Sequence, residues 1–550
     1  MVEPLTTNAI RATSGQQVSQ DVGSRGGDEA RSLEAQAVAK LAAARTWKSY
    51  IELDVKEAYF FTAPNRQRQI SSMTSPAQAR MLDAPELNTD EAFIICQDFV
   101  TEIVNAFMPE AEKWVERGPG MYIPKAAWDR IKPQVIEDDG RIFDAIKASN
   151  FYVELPKAFY PDLAIGTSGI WIEPPAPGKA IQVAAVPFRE LEIDMGPYGT
   201  IDYRAAVTYT RNHLVREILG DEIWAKVPAE LKKLNGDRPS DRTQIVKAFW
   251  RIWEDKSDTV WQHVVMLGNR VIHDVRLRGE GSCPLIVSRF GATADWPHGV
   301  GPMIQGLPSF RQIDEKQMQF SKHASLSIEP PISFPDDSFA AIEQGLEEGM
   351  GYPIRPGTEG AIKNIYTVPP PEAAQYDYQQ TIKRLRKLFF VDYPEQTGDT
   401  PPTLGQWLDE MARAQRRVGT PGLSFWREGP AEIFLRYKHL LELAGVIKPL
   451  QVDGRAIATM PRNPAQAAAE QQEVGMFLKF ASSASQLFPE EWKIHVDGEK
   501  TMKAVAEKMR VRLVAWRNPD QVKQAVAAIA QLSGARHAGA NIDQTPGPAA

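Results

Sequence analysis

Lys383, Arg384, Arg386 and Lys387 place four positive charges within five positions. Such a cluster either meets phosphates or forms a solvated helix face that pairs with acidic neighbours. Arg413, Arg416 and Arg417 pose the same choice. Two carboxylate clusters, Glu137-Asp138-Asp139 and Asp336-Asp337, have the oxygen donors a divalent ion needs, although a solvated loop or a helix cap uses the same residues. The eight His are scattered, without His-Glu-x-x-His or Cys-x-x-Cys, so the sequence predicts no metal site. It contains no Gly-x-x-x-x-Gly-Lys-Ser/Thr, and Gly299-x-Gly301 with the next Gly at 306 misses dinucleotide-loop spacing. No catalytic or cofactor-binding residue is predicted. The 13 Trp lie mostly beside apolar strands or on apolar helix faces, which points to packing rather than base stacking.

Composition narrows the field further. At 550 residues the chain can bury several cores, and 43% hydrophobic with 24% charged residues is the make-up of a folded soluble protein. No apolar run approaches the roughly 18 residues of a membrane helix, and the first residues lack a signal peptide's basic and apolar regions, so neither secretion nor membrane insertion is expected. Cys96 and Cys283 each stand beside apolar residues and read as buried reduced thiols, which suits a reducing cytoplasm. The formal net charge of -7 excludes a generally basic coat for nucleic acid. A channel that passes DNA without holding it is still allowed, because tight phosphate contacts need clustered Lys and Arg.

The elements that must position these residues follow from periodicity. Residues 1 to about 30 and those from about 533 lack it and read as disordered. Residues 33 to 115 read as helices interrupted around Ser71 to Pro85. A helix from Lys125 to Asn150 is expected to break near Pro133 and the acidic stretch to Gly140. From Ile170 to about Val287 the period shifts toward two, with turns at Gly196-Pro197-Tyr198-Gly199 and a two-residue hairpin at Gly268-Asn269; this predicts a small mixed or antiparallel sheet, with a helical insert from His213 to Asn235. A long helix over 300 to 328 aligns Met303, Leu307, Phe310 and Ile313, and a second over about 372 to 391 aligns Tyr378, Ile382, Leu385 and Phe389. Thr403-Leu404-Gly405-Gln406 reads as a capping box, and Thr420-Pro421 starts a helix that stops at Gly445. Further helices are expected over about 464 to 484 and 497 to 533.

The order of these elements around Pro284 to Phe339 resembles the head-to-tail connector, or portal, family of short-tailed bacteriophages. In that family a strand with an aromatic or basic end leads to a Gly-x-Gly-Pro corner, a Leu-Pro helix and a Pro-Pro exit; here these are Pro284 to Phe290, Gly299-Val300-Gly301-Pro302, Leu307-Pro308 and Pro330-Pro331. Arg45-Thr46-Trp47 and Tyr59-Phe60-Phe61 resemble its opening helix. Asp162 to Trp171 matches its helix-to-strand turn, with Gly-Thr-Ser-Gly where the family usually has Gly-Thr-Gly. Asn463-Pro464, Glu470-Gln471-Gln472 and Ile494-His495-Val496-Asp497 resemble its closing segment.

The resemblance implies an α+β, mainly helical portal fold: a disordered segment (1–32), a wing of helices and a small sheet (33–299), a stem helix (300–328), a clip (329–371), a second stem helix (372–391), a tunnel loop (392–402), wing or inner helices (403–446), a helical crown (447–532) and a disordered tail (533–550). It further implies a homo-oligomeric ring, typically a dodecamer, at one capsid vertex of the virion, assembled in the host cytoplasm. Its partners would be the terminase large subunit, tail adaptor and tail proteins, major capsid and scaffolding proteins, and double-stranded DNA passing without sequence preference, with no membrane. The motor ATPase would be another protein. Lys383, Arg384, Arg386, Lys387, Asp392, Glu395 and Asp399 would face the channel, and Asp336, Asp337, Glu343, Glu347 and Arg355 would dock partners on the clip. Two other classes stay open on the residues alone. One is a cytoplasmic α/β hydrolase using the carboxylates of Glu137 to Asp139; the other is a different tail or scaffold component.

Overall fold

The computed structural model describes residues 27–64, 87–119, 123–174, 179–253, 259–328, 372–391, 424–449 and 464–487, with short pieces between them, among them 332–333, 363–364 and 458–461. The chain divides into two units, residues 1–464 and 465–550.

Helix α1 (Gly27–Thr62) serves two cores with one stripe. Leu33, Ala37, Leu41 and Ala44 recur at helical spacing and cover one face of a sheet, whereas Val55, Ala58 and Tyr59 enter a helical core further along the same helix. In that second core, α2 (Glu91–Phe107) buries Ile95, Cys96, Phe99, Val100, Ile103 and Phe107. The segment then continues through β1 (Val115–Gly118), α3 (Lys125–Ala148), α4 (Phe151–Phe159) and the single turn α5 (Asp162–Ile165). The expected break in α3 is absent: the helix runs through Pro133 and the acidic stretch. Proline there removes one backbone bond, and burial of Trp128, Val135, Ile142, Phe143 and Ile146 along the same helix offsets that loss.

The sheet region is antiparallel throughout and forms two layers. Strands β2 (Thr167–Glu173) and β3 (Gln182–Val186) pair with β9 (Leu285–Arg289) in the order β3-β2-β9. Strands β4 (Leu191–Met195), β5 (Ile201–Arg211), β6 (Arg242–Ile252), β7 (Val260–Leu267) and β8 (Arg270–Arg278) form a five-stranded meander. Leu191, Ile193, Phe249 and Trp261 on the meander pack against Val186, Leu285 and Val287 of the smaller sheet, while α1 covers the opposite face. The hairpin at Gly268-Asn269 is present, with Leu267 opposite Arg270 and Gly268 at φ +61°. The insert after β5 is helical, as α6 (Val215–Lys226) and α7 (Ala229–Asp237).

Beyond β9 runs the long helix α8 (Pro302–Ile328), followed by the short pair β10 (Ile332–Ser333) and β11 (Lys363–Asn364) and then α9 (Glu372–Leu388). The helix expected from Thr420 to Gly445 is interrupted at Gly429, whose backbone is non-helical (φ −102°, ψ −87°); Pro430 then restarts it as α10 (Pro430–Leu443), and Gly445 at φ +71° follows its end. Strand β12 (Ala458–Pro461) returns to pair with β1. In the second unit, α11 (Pro464–Leu487) covers the expected helix of 464 to 484. Both cysteines are buried and free, with their thiol pKa values raised by burial. The capping box at Thr403, the stretch 392–402 and nearly all of 329–371 lie outside the described residues, as do most of 497–533 and both ends. Among the described residues, no helix is long and apolar enough to cross a membrane.

Candidate functional site

The two glycine motifs, far apart in sequence, meet backbone against backbone at the root of α8. Helix α5 ends at Gly166, held at φ +140°, and β2 begins at the next residue. Gly166 O accepts from the Phe290 N–H at 2.9 Å, and Ile165 O accepts from the Gly301 N–H at 2.8 Å. The Gly299 N–H donates to Thr167 Oγ1 at 3.0 Å. A Cβ on Gly166 would lie 2.1 Å from Gly299 O, one on Gly299 would lie 2.1 Å from Gly166 O, and one on Gly301 would lie 2.2 Å from Ala164 O. Glycine is therefore required at all three positions by contact, independently of conformation. Ser168, the extra residue of Gly-Thr-Ser-Gly, has its hydroxyl 2.9 Å from that of Ser288 on β9, so the departure from the family motif is filled by a buried hydroxyl pair.

Buried polar groups tie this junction to its surroundings. Asp162 is fully buried and accepts from Tyr59 Oη of α1 at 2.7 Å and from the Phe188 N–H at 3.0 Å. Arg289, at the end of β9, donates to Glu428 at 2.9 and 3.2 Å, to Gly199 O at 3.0 Å and to the carbonyls of Trp296 and Pro297 at 3.3 Å. Its one guanidinium joins the β4–β5 turn, the loop before α8 and the residues before α10. Arg204 forms a second such pair, donating to Glu432 of α10 at 2.5 and 2.8 Å. Arg436 is different: it donates to carbonyls of Ile172, Gly281 and Ser282, and desolvation brings its pKa down to about 10. Sequence reasoning missed all three. The available signal was a charged residue inside an otherwise apolar strand or helix, as in Leu285-Ile286-Val287-Ser288-Arg289.

From this root α8 leaves the core. Met303, Leu307, Phe310 and Ile313 are buried, whereas none of the described side chains from Asp314 to Ile328 is fully buried, over about 22 Å of helix. In α9 burial resumes only at Thr381 and Leu385. Over their exposed halves the helices contact each other through a Lys316–Asp377 ion pair and the rings of Phe320 and Tyr378, 5.6 Å apart. At the tip, Ile332 lies opposite Asn364, so the two ends of the intervening excursion are side by side.

The basic cluster sits at the other end of α9, near the core. Lys383, Arg384, Arg386 and Lys387 are all exposed. Arg386 is 3.8 Å from Glu91 at the start of α2. Asp377 has its pKa lowered chiefly by Lys316, with a smaller contribution from Arg384, which lies two turns along. Lys383 and Lys387, one turn apart, lie roughly opposite the buried Leu385. The structure thus exposes four cations along one helix, with Arg386 beside the Glu91 carboxylate. Asp392, Glu395 and Asp399, the clip residues Asp336, Asp337, Glu343, Glu347 and Arg355, and Arg413, Arg416 and Arg417 lie outside the described residues.

The acidic cluster on α3 is taken up structurally. Asp139 accepts from Arg117 Nε of β1 at 2.5 Å with both side chains buried, and Glu137 pairs with Arg141 at 2.8 Å. Asp138 is buried beside them with its pKa raised by desolvation. Among the described residues, no group of three or more His, Cys, Asp or Glu is placed to hold a metal ion.

A family model described as bacteriophage head to tail connecting protein matches residues 34–418, which is 385 of the 550 positions and includes the glycine junction, both sheets, α8 and α9. No curated protein matches the chain.

Proposed function

The chain belongs to the family of bacteriophage head-to-tail connecting proteins, and from that premise we propose that it is a portal: a ring, dodecameric as is typical of the family, at one capsid vertex, through which DNA enters during packaging and leaves during ejection. The role is structural. Family membership carries with it a place in the virion and contacts with capsid and tail; the ring, the channel and the terminase contact are the further content of the proposal. The observation that carries it is the rigid launch of α8. A helix rooted in a junction with no room for a Cβ, leaving the core with a partner helix and bearing an excursion at its tip, has the build of a stem pair repeated around an axis.

On this reading the excursion at 329–371 is the clip, which docks terminase and the tail adaptor through Asp336, Asp337, Glu343, Glu347 and Arg355, and 392–402 is the tunnel loop. Class-averaged electron micrographs of purified protein test the whole arrangement. Closed rings with an axial hole are expected, with the clip forming a collar at one end. Ring sizes other than twelve are compatible, since scaffold can select symmetry. Monomers or dimers alone at micromolar concentration and moderate salt would remove the reading.

On this reading the exposed cations of α9, Lys383, Arg384, Arg386 and Lys387, are the ones that meet passing phosphates, with Arg386 also 3.8 Å from Glu91. So sparse a charge supports weak, sequence-independent contact whose affinity falls steeply between about 50 and 200 mM salt. Filter binding across that range checks it; tight binding to one sequence that survives high salt contradicts it.

A further inference from the structure

His298 occupies the corner between β9 and α8, in Pro297-His298-Gly299, and its surroundings differ from those of an ordinary core histidine. The ring is 0% exposed, and neither ring nitrogen has a hydrogen-bond partner. It lies against the ring of Phe188, centroids 5.3 Å apart. The residue that follows, Gly299, is locked against Gly166 and Thr167, so the ring cannot swing out unless the corner opens.

The charges around it are of the wrong sign for a protonated ring. Lys48 faces it from α1 and Arg289 from β9. The carboxylates on the neighbouring elements have partners of their own: Glu192 of β4 pairs through Oε1 with Lys48 at 3.2 Å, its Oε2 being buried without a hydrogen bond, and Glu190 pairs with Arg189 at 3.7 Å. Glu428 pairs with Arg289, and Asp162 of α5 accepts from the Tyr59 hydroxyl and the Phe188 N–H. An imidazolium here would carry two N–H donors without an acceptor, between two other cations.

We propose that His298 is an acid-sensitive latch: while neutral it lets the corner that launches α8 stay closed, and its protonation opens that corner. Burial, then Lys48, then Arg289 push its pKa down from 6.5 to about 3. Because the folded value lies below the unfolded one, the neutral ring's contribution is complete above about pH 6.5. It is lost as pH falls from there toward 3, and each pH unit inside that window shifts the open-to-closed ratio about tenfold. The proposal does not depend on ring assembly, since every group it invokes belongs to one chain.

Amide hydrogen exchange of the full chain, corrected for the pH dependence of intrinsic exchange, tests it. Between pH 6.5 and 4.5 the protection of Val300 to Leu307 should fall about 50-fold, since the ring of the open form is already half protonated at pH 6.5, ahead of the amides of α2. In His298→Phe, which has an aromatic ring and no titrating group, that fall should vanish. An equal fall in His298→Phe, or no fall in the wild type, overturns the latch. Should His298→Phe fail to fold at pH 7, exchange of the His298 ring Cε1 proton, followed by mass spectrometry in the wild type, decides the matter. A titration midpoint well below 6.5 supports the latch, and one at or above 6.5 overturns it.

Discussion

Gly299→Ala is expected to destabilise the protein by about 4 kcal/mol or more, enough to leave little folded chain at 37 °C. The added Cβ would stand 2.1 Å from Gly166 O and 2.5 Å from Phe290 O, and both atoms belong to backbone that β2 and β9 hold in register. A clash with the tip of a flexible side chain relaxes cheaply. A clash with a paired strand does not, because relief requires separating β2 from β9 or lifting α8 off its root. Gly166→Ala should behave the same way, with the cost of φ +140° added. Gly236→Ala is the control: it lies in α7 with nothing within 4 Å of its would-be Cβ, and it should be neutral or stabilising by up to about 1 kcal/mol. Thermal and urea unfolding of the three variants measure these differences. A Gly299→Ala protein within about 1 kcal/mol of wild type would show that the junction is looser than the geometry described.

Arg289→Met should cost about 3–5 kcal/mol, the range for removing one partner from a buried, hydrogen-bonded ion pair. The guanidinium is 3% exposed and Glu428 16%, so the carboxylate left behind would be largely cut off from water. The carbonyls of Gly199, Trp296 and Pro297 would lose their donor at the same time. Adding Glu428→Gln should recover part of the loss by removing the stranded charge, and the remainder measures the three carbonyls. A double variant no more stable than Arg289→Met would mean that water or another cation reaches Glu428. Because Arg289 also faces His298, the single variant should in addition ease protonation of that ring.

Much of this fold was legible because its signals are local. The stripe Met303, Leu307, Phe310, Ile313 and the hairpin at Gly268-Asn269 are each decided within a few residues, and the structure has both. What escaped depends on partners distant in the chain. Strand β1 is four residues long and pairs with β12 some 340 positions later, so neither has a period to detect. Likewise, α3 continues through Pro133 because of what it packs against, and Gly429-Pro430 splits a run whose apolar periodicity continues across it. The candidate site divides in the same way. The basic cluster and both glycine motifs were visible as residue types. That Glu91 stands beside Arg386, or that Gly166 touches Gly299, could come only from the tertiary arrangement. The buried arginines were hidden for the same reason: their carboxylates sit on α10 and just before it, more than a hundred residues away.

The pairing of β10 with β11 sets a condition on how this protein can diversify. Ile332 and Asn364 are opposite partners in an antiparallel ladder, so their Cα atoms are about 5 Å apart, and the residues from 334 to 362 leave and return through a single narrow gate. Any polypeptide whose own ends lie that close could be spliced into the gate without changing the spacing or direction of α8 and α9. The segment between the two strands is in this respect an exchangeable cassette, and a lineage could replace it by recombination there while the glycine junction at the far end of α8 stays untouched.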